Sequence, residues 1–280
     1  VIDDELTTAV ERAVREAVDA QVVPRWRKLA EHEITTKTGS HDLVTVADRE
    51  AERQLGDALR RLLPGSAVVG EEGVHADPAS YRALSGPDPV WIIDPVDGTR
   101  QFVAGGEGFC TMVALAHHGE TLAGWIQAPA LGLTATVRRG GGALLNGEPL
   151  YAGSPRAGAP LRVAVSHPDY TDEWQERSLR GLHTAGLQVR STGSAGLEYL
   201  AIARGRLDAV AYTWEAAWDH APGLLMVAEA GGAGSTVEGV PFRLAGGNAL
   251  PFTAARDADT TRRMVELLRE KSEDHRSRPR

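Results

Sequence analysis

Apolar side chains return every three or four positions from Leu6 through Val10, Ala13, Val14, Ala17 and Val18 to Val22, with charged residues between them. That period predicts an amphipathic helix over residues 3 to about 29, which Pro24 should kink or break. The polar stretch 31–41, with Gly39, reads as a loop, and Asp42 to Asp48 as a short strand or helix entry. Arg49 to Leu63 repeats the helical period and is closed by Pro64-Gly65. The texture then shifts to short apolar runs. Ala67–Gly70, Val90–Ile93, Thr111–Ala116, Leu122–Gln127, Thr134–Val137 and Ala143–Asn146 read as strands. A Pro/Gly/Asp-rich connection spans 76–89, and turns fall at His118-Gly119-Glu120, at glycines 140–142 and at Asn146-Gly147.

Residues 151–160, rich in Gly, Pro and Ala, mark a boundary between an N-terminal part, 1–150, and a C-terminal part, 151–280. Beyond it strands and helices alternate: strand Arg162–Ser166, helix Asp172–Ala185, strand Gln188–Ser191, helix Ala195–Ala203 and strand Ala209–Tyr212. A helix from about Pro222 to Ala230 should stop at Gly231-Gly232, and a last helix covers 260–272 ahead of an Arg-rich tail. The pattern is that of an α/β (α+β) protein.

Composition narrows the function classes. A chain of 280 residues buries a full core. Its net charge of −8 offers no basic footprint for nucleic acid or an anionic membrane. Neither a membrane-spanning run nor a signal-peptide layout is visible. Cys110 is the only cysteine, which excludes an intrachain disulfide and suits a reducing cytoplasm.

The chemistry concentrates in carboxylates at the ends of predicted elements. In Trp91-Ile92-Ile93-Asp94-Pro95-Val96-Asp97-Gly98-Thr99 an apolar strand runs into two carboxylates three positions apart, then a glycine and a hydroxyl. Such a turn gathers oxygen ligands for a hard cation such as Mg²⁺ beside backbone suited to an anion. Asp48 opens a helix, Glu71 ends a strand, and Asp219 lies just before a helix. Taken singly, each has a structural reading: Asp-Pro and Asp-Gly form turns, Asp48 and Asp219 can cap helices, and Pro222 suits a first helical turn. Elsewhere, Gly231-Gly-Ala-Gly-Ser-Thr236 lacks the lysine of a phosphate loop, and Thr192-Gly-Ser194-Ala-Gly196 lacks the first glycine of a nucleophile elbow. His117 and His118 read as solvated turn residues, His220 as an exposed helix-start residue, and Cys110 as a packed thiol.

Together the acidic segments carry a resemblance. Gly70-Glu71-Glu72, then Trp91 to Phe102, then Trp218-Asp219 through Glu229-Ala-Gly-Gly232 resemble the three signature motifs of the inositol monophosphatase family. Lys37 with Asp42 to Asp48 matches a fourth element, and the resemblance runs to about residue 270. It implies a layered α-β-α-β-α sandwich of the sugar-phosphatase type and a homodimer. It implies that Glu71, Asp94 and the Val96 carbonyl hold a first Mg²⁺, and that Asp94, Asp97 and Asp219 hold a second. Glu71, with Asp48 through waters, would support a third ion. Glu71 and Thr99 would orient the attacking water, Gly98 and Thr99 would face the phosphate, and Gly193, Ser194 and Ala195 would contact the substrate's polyol.

The departures fall where substrate choice is made. Many inositol phosphatases place an acid seven positions before the Trp-Asp aspartate; here that position is Tyr212, with Glu215 off register. Arg100 and Gln101 replace a small hydroxyl and an asparagine, and the basic residue at the first of these places resembles members acting on histidinol phosphate or on nucleotide 3′-phosphates. The expected function is Mg²⁺-dependent hydrolysis of a small phosphate monoester, foremost inositol monophosphate or a related polyol or sugar phosphate. The alternatives are histidinol phosphate, a 3′-phosphoadenosine nucleotide, and a non-catalytic binding protein on the same fold. Inhibition by Li⁺ is a further expectation of the resemblance.

Overall fold

The computed structural model describes residues 2–37 and 43–273, the last four by backbone alone. The rest of the expected 31–41 loop, Asp42 and the tail beyond 273 lie outside the described residues. Helix α1 (Asp4–Ala17) starts where the Asp3 side chain accepts the Leu6 N–H, and buries Val10, Ala13, Val14 and Ala17. It is shorter than its period predicts. At Val18–Val22 the helix widens into a π turn and ends, because Pro24 cannot donate the next backbone N–H. Two short strands, β1 (Ile34–Thr36) and β2 (Leu43–Thr45), pair antiparallel, the first in a stretch too polar to read as a strand. Helix α2 (Val46–Leu62) opens with a reciprocal cap between Thr45 and Asp48.

A seven-stranded sheet follows: β3 (Ala67–Gly70), β4 (Val90–Asp97), β5 (Cys110–His117), β6 (Glu120–Ala128), β7 (Leu133–Arg138), β8 (Gly142–Leu145) and β9 (Glu148–Pro149), in that spatial order. Only β3 and β4 run parallel; every later pair is antiparallel. Two short helices, α3 (Glu71–Ala76) and α4 (Thr99–Val103), leave the ends of β3 and β4. The second sheet has the order β11-β10-β12-β14-β13, built from β10 (Leu161–Val165), β11 (Leu187–Ser191), β12 (Ala209–Tyr212), β13 (Ala233–Thr236) and β14 (Phe252–Ala255). Its helices are α5 (Glu173–Leu179), α6 (Ala195–Ala203), α7 (Ala217–Glu229) and α8 (Ala258–Glu273).

Side-chain alternation stacks these elements into five layers. On β4 and β5, Trp91, Ile93, Val113 and Leu115 pack with α1 and α2. From the same sheet, Cys110, Met112, Ile126 and Val137 meet Leu200 of α6 and Leu225 and Met226 of α7. Helices α6 and α7 also cover one face of the second sheet, through Tyr199, Ile202 and Val227 against Val210, Tyr212 and Phe252. Leu179, Leu182, Met264 and Leu268 close its other face. The α-β-α-β-α order agrees with the expectation, and α6 and α7 form the layer between the sheets.

Two further expectations are corrected, and β13 lies where none was made. The helix expected over Asp172–Ala185 stops at Leu179 and passes into a 3₁₀ turn, Arg180–Leu182, where glycine weakens helix continuation. Helix α7 begins at Ala217, so Asp219 and Pro222 lie inside it rather than before it or at its start. The glycine-rich run ending at Thr236 contains β13, whose small residues show no apolar alternation.

Candidate active site

Parallel pairing brings the ends of β3 and β4 side by side, with Gly70 opposite Ile93. The residues that follow, Glu71 and Asp94, therefore start as neighbours. Asp94 and Asp97 are three apart, so a regular strand would send them to opposite faces. The β4–β5 register breaks between them: Asp94 pairs with Met112 and Asp97 with Cys110, three steps against two. This bulge restores the parity and turns both carboxylates to one side. Pro95, which has no N–H to lose, sits in the bulge, and its carbonyl accepts the Thr111 hydroxyl at 2.7 Å. Gly98 ends the turn at φ +85°, where a Cβ would come within 2.6 Å of the Gly108 carbonyl.

Each carboxylate has its own support. The Asp97 carboxylate meets the start of α6, accepting from the Ala195 N–H at 3.1 Å, the Gly196 N–H at 2.8 Å and the Ser194 hydroxyl at 2.5 Å. The Cys110 thiol lies 3.4 Å away as a weak fourth donor. Asp219 accepts the Trp214 indole N–H at 2.7 Å. Glu71 receives Lys37 Nζ at 2.7 Å, and the same ammonium contacts Glu72 at 2.5 Å. Burial opposes the Lys37 charge, yet the two glutamates hold its pKa above the ordinary value. Beneath them Glu52 accepts the Glu72 and Gly73 N–H groups, both at 2.7 Å, and so caps α3 from α2. Asp48 lies 3.4 Å from the Thr99 hydroxyl, which donates to the Val96 carbonyl at 2.8 Å.

Ligand oxygens of Asp94, Asp97 and Asp219 lie within 4.8 Å of one another. Burial pushes all three pKa values up, that of Asp219 to about 8, and mutual repulsion adds to the rise for Asp94 and Asp219. For Asp97 the four donors temper the effect of burial without reversing it. Asp48 rises to about 7, again through burial first. Asp94 Oδ1 is buried with no hydrogen-bond partner among the described residues. An orphaned carboxylate oxygen within an all-oxygen cluster of like charges fits a hard divalent cation, which would complete both the coordination and the charge balance.

Glu71, Asp94, Val96, Asp97, Gly98, Thr99, Gly193, Ser194, Ala195 and Asp219 line one cavity of about 290 Å³. Its outer wall comes from Arg100, Gln101, His167, Tyr170, Thr192 and Trp214, with Arg100 paired to Asp169 at 2.5 Å. Three sequence-expected residues lie outside that lining. Asp48 stands behind Thr99 as the third helical residue of a capping box, not as the cap. Tyr212 is fully buried, with its hydroxyl 3.3 Å from Thr192 Oγ1. Glu215 is held away by the Gly247 and Asn248 N–H groups and the Asn248 amide. His220 is also corrected: it is fully buried, because α7 starts earlier than its proline suggests, and burial lowers its pKa to about 3. Ser194 and the Ala195 N–H, expected to meet a polyol, are engaged by Asp97. Sequence reading missed Glu52 and Trp214; neither carries a motif, and only packing brings them to the site.

The sequence profile described as the inositol monophosphatase family matches residues 3–275. A fructose-1,6-bisphosphatase/inositol-1-monophosphatase of Thermotoga maritima is 36% identical over 71% of this chain and 73% of its own length. An inositol-1-monophosphatase of Rhizobium meliloti is likewise 36% identical, over 72% of this chain and 74% of its own. The solved structure of a Thermotoga maritima IMPase superposes with a TM-score of 0.78 at 28% identity, covering 97% of this chain and 99% of that one. With its carboxylates gathered at the strand ends beside the start of α6, the chain belongs to the inositol monophosphatase family and is a phosphoric monoester hydrolase.

Proposed function

We propose that this enzyme hydrolyses a small phosphate monoester with Mg²⁺, foremost inositol monophosphate or a related polyol or sugar phosphate. The observation that carries the reading is the cluster of Asp94, Asp97 and Asp219, with the orphaned Asp94 oxygen, in a cavity that Glu71 also lines. In this reading Glu71, Asp94 and the Val96 carbonyl hold one ion, and Asp94, Asp97 and Asp219 a second. Glu71 and Asp48 support a third through water. When bound, the ions neutralise charge on the transferring phosphoryl group and lower the pKa of the attacking water. Glu71 and Thr99 orient that water. Asp48 stands behind the Thr99 hydroxyl, 3.4 Å away, placed to accept a proton there. The Gly98 and Thr99 backbone faces the phosphate. Residues 1–150 and 151–280 act as two tightly packed parts that share the site. A cytoplasmic homodimer belongs to the same reading, which the single cysteine supports only in its reducing compartment.

A second reading changes the alcohol. Glu215 and Tyr212 are absent from the cavity lining, while Trp214, Tyr170, His167 and Arg100 are present. That wall favours a ring-bearing alcohol, as in histidinol phosphate or a 3′-phosphoadenosine nucleotide. Phosphate release from inositol 1-phosphate, fructose 1,6-bisphosphate, histidinol phosphate and 3′-phosphoadenosine 5′-phosphate separates the two, with Mg²⁺ and with EDTA. The polyol or sugar esters should turn over fastest, and EDTA should stop all release. A preference above about tenfold for either ring-bearing ester would transfer the assignment to it. Absence of Mg²⁺-dependent release from every ester would return the chain to a binding role.

A further inference from the structure

Besides standing in the cavity wall, Trp214 touches a carboxylate of the cluster. It lies between β12 and α7, half-buried, with its ring in the cavity wall. Its indole N–H donates to Asp219 Oδ2 at 2.7 Å. The ring is packed against Tyr212, at 4.3 Å between centroids, and His220, at 5.3 Å. The Trp214 carbonyl lies 3.1 Å from His220 Nε2, and His220 Nδ1 lies 3.0 Å from the Tyr199 hydroxyl. A carbonyl only accepts, so His220 carries its proton on Nε2 and donates there; Nδ1 then accepts from Tyr199. The donors run in one direction: Tyr199 to His220, His220 to the Trp214 backbone, Trp214 to Asp219.

We infer that Trp214 is a positioning residue: its indole N–H fixes the rotation of the Asp219 carboxylate, leaving the other oxygen for a cation, and the Tyr199–His220 pair fixes Trp214. The inference rests on the reading of Asp219 as a Mg²⁺ ligand. Indole is a donor only, so it can hold one carboxylate oxygen without competing for the metal. Without it, the partly buried Asp219 carboxylate in the first turn of α7 loses that anchor, and metal binding must then supply the ordering. Partners of this kind, one bond removed from the metal, are commonly worth 10–100-fold in metal affinity.

The test is calorimetric titration of Mg²⁺ into the full, EDTA-stripped chain, without substrate. Trp214→Phe keeps a ring in the wall and removes the N–H. Its Mg²⁺ Kd should rise on the order of 10–100-fold. The half-saturating Mg²⁺ in the phosphatase assay should rise with it. The melting temperature of the metal-free protein should stay within about 4 °C, roughly 1 kcal/mol. A purely structural role would lower that temperature and leave Kd alone. A companion pair keeps the test decisive if Trp214→Phe does not fold. His220→Leu, which loses the donor to Trp214, should weaken Mg²⁺, and His220→Gln, whose amide can still donate, should recover much of the loss. A Kd within about twofold of wild type in Trp214→Phe, or in His220→Leu, overturns the inference. If the wild-type chain itself shows no Mg²⁺ binding, the reading of Asp219 as a ligand has failed. If wild type binds and Trp214→Phe binds equally, only the positioning role has.

Discussion

Asp94 carries the heaviest burden of any single residue. It is buried, it has a partnerless oxygen, and Glu71, Asp97 and Asp219 all push its pKa upward after burial itself. Replacing it with asparagine keeps the shape and removes the charge. Asp94→Asn should reduce kcat by ~10³-fold or more, several kcal/mol of lost charge stabilisation. In EDTA the same variant should melt no lower than wild type, because one member of a crowded set of anions has been neutralised. Turnover near wild type, or a metal-free melting temperature well below it, would contradict the assignment. Asp94, Asp97, Glu71 and Asp219 stood out in the sequence because each falls at the end or the start of an element that the sequence pattern predicts. Tyr212 and Glu215 show the limit of that reading. The resemblance to the family suggested a place near the substrate, but the fold turned one into the core and gave the other to the Asn248 loop.

At the scale of elements, α3 and α7 owe their placement to contacts that no local pattern announces. Glu52 of α2 accepts two N–H groups at the start of α3 and thereby sets the direction in which Glu71 leaves β3. Burial raises the Glu52 pKa from 4.5 to about 7, against the pull of those two hydrogen bonds. The folded state then binds its proton more tightly than the unfolded state does. Its contribution to stability must fall as pH rises from about 4.5 to about 7. In EDTA, the urea midpoint of wild type should decline across that window, and Glu52→Gln should flatten the decline; equal slopes would exclude Glu52 as its source. Helices α6 and α7 cross so closely that a Cβ on Gly223 would lie 2.0 Å from the Tyr199 ring. Gly223→Ala should cost about 1–3 kcal/mol in urea unfolding, since neither helix can retreat from the sheets that enclose them. A neutral result would mean that the layer between the sheets is more yielding than its packing indicates.

For the whole molecule, the cluster is a tie between parts that fold from distant sequence. Asp94 and Asp97 belong to the first sheet, and Asp219 to a helix packed between both sheets. A cation held there binds the folded state alone. At a hundred times its Kd, Mg²⁺ should add about 2.7 kcal/mol, a rise in melting temperature of roughly 5–10 °C over EDTA. Differential scanning fluorimetry reads this directly, and Asp94→Asn should abolish the shift. An equal shift in that variant would place the stabilising ion elsewhere.

Local order along the chain determined the kinds of element and the identity of the acidic residues. Helical period marked α1 and α2, apolar runs marked β4 to β6, and the Asp-Pro-Val-Asp-Gly-Thr turn marked the chemistry. These features depend on neighbours within a few residues, and the sequence displays them directly. Tertiary structure alone decided which carboxylates share a cavity, that a bulge between Asp94 and Asp97 aims them together, and that α7 begins early enough to bury His220. Glu52 and Trp214 became visible only there, because their partners lie 20 residues away in one case and across a helix start in the other. Strand register and helix packing create such proximity, and no spacing along the chain encodes it in readable form.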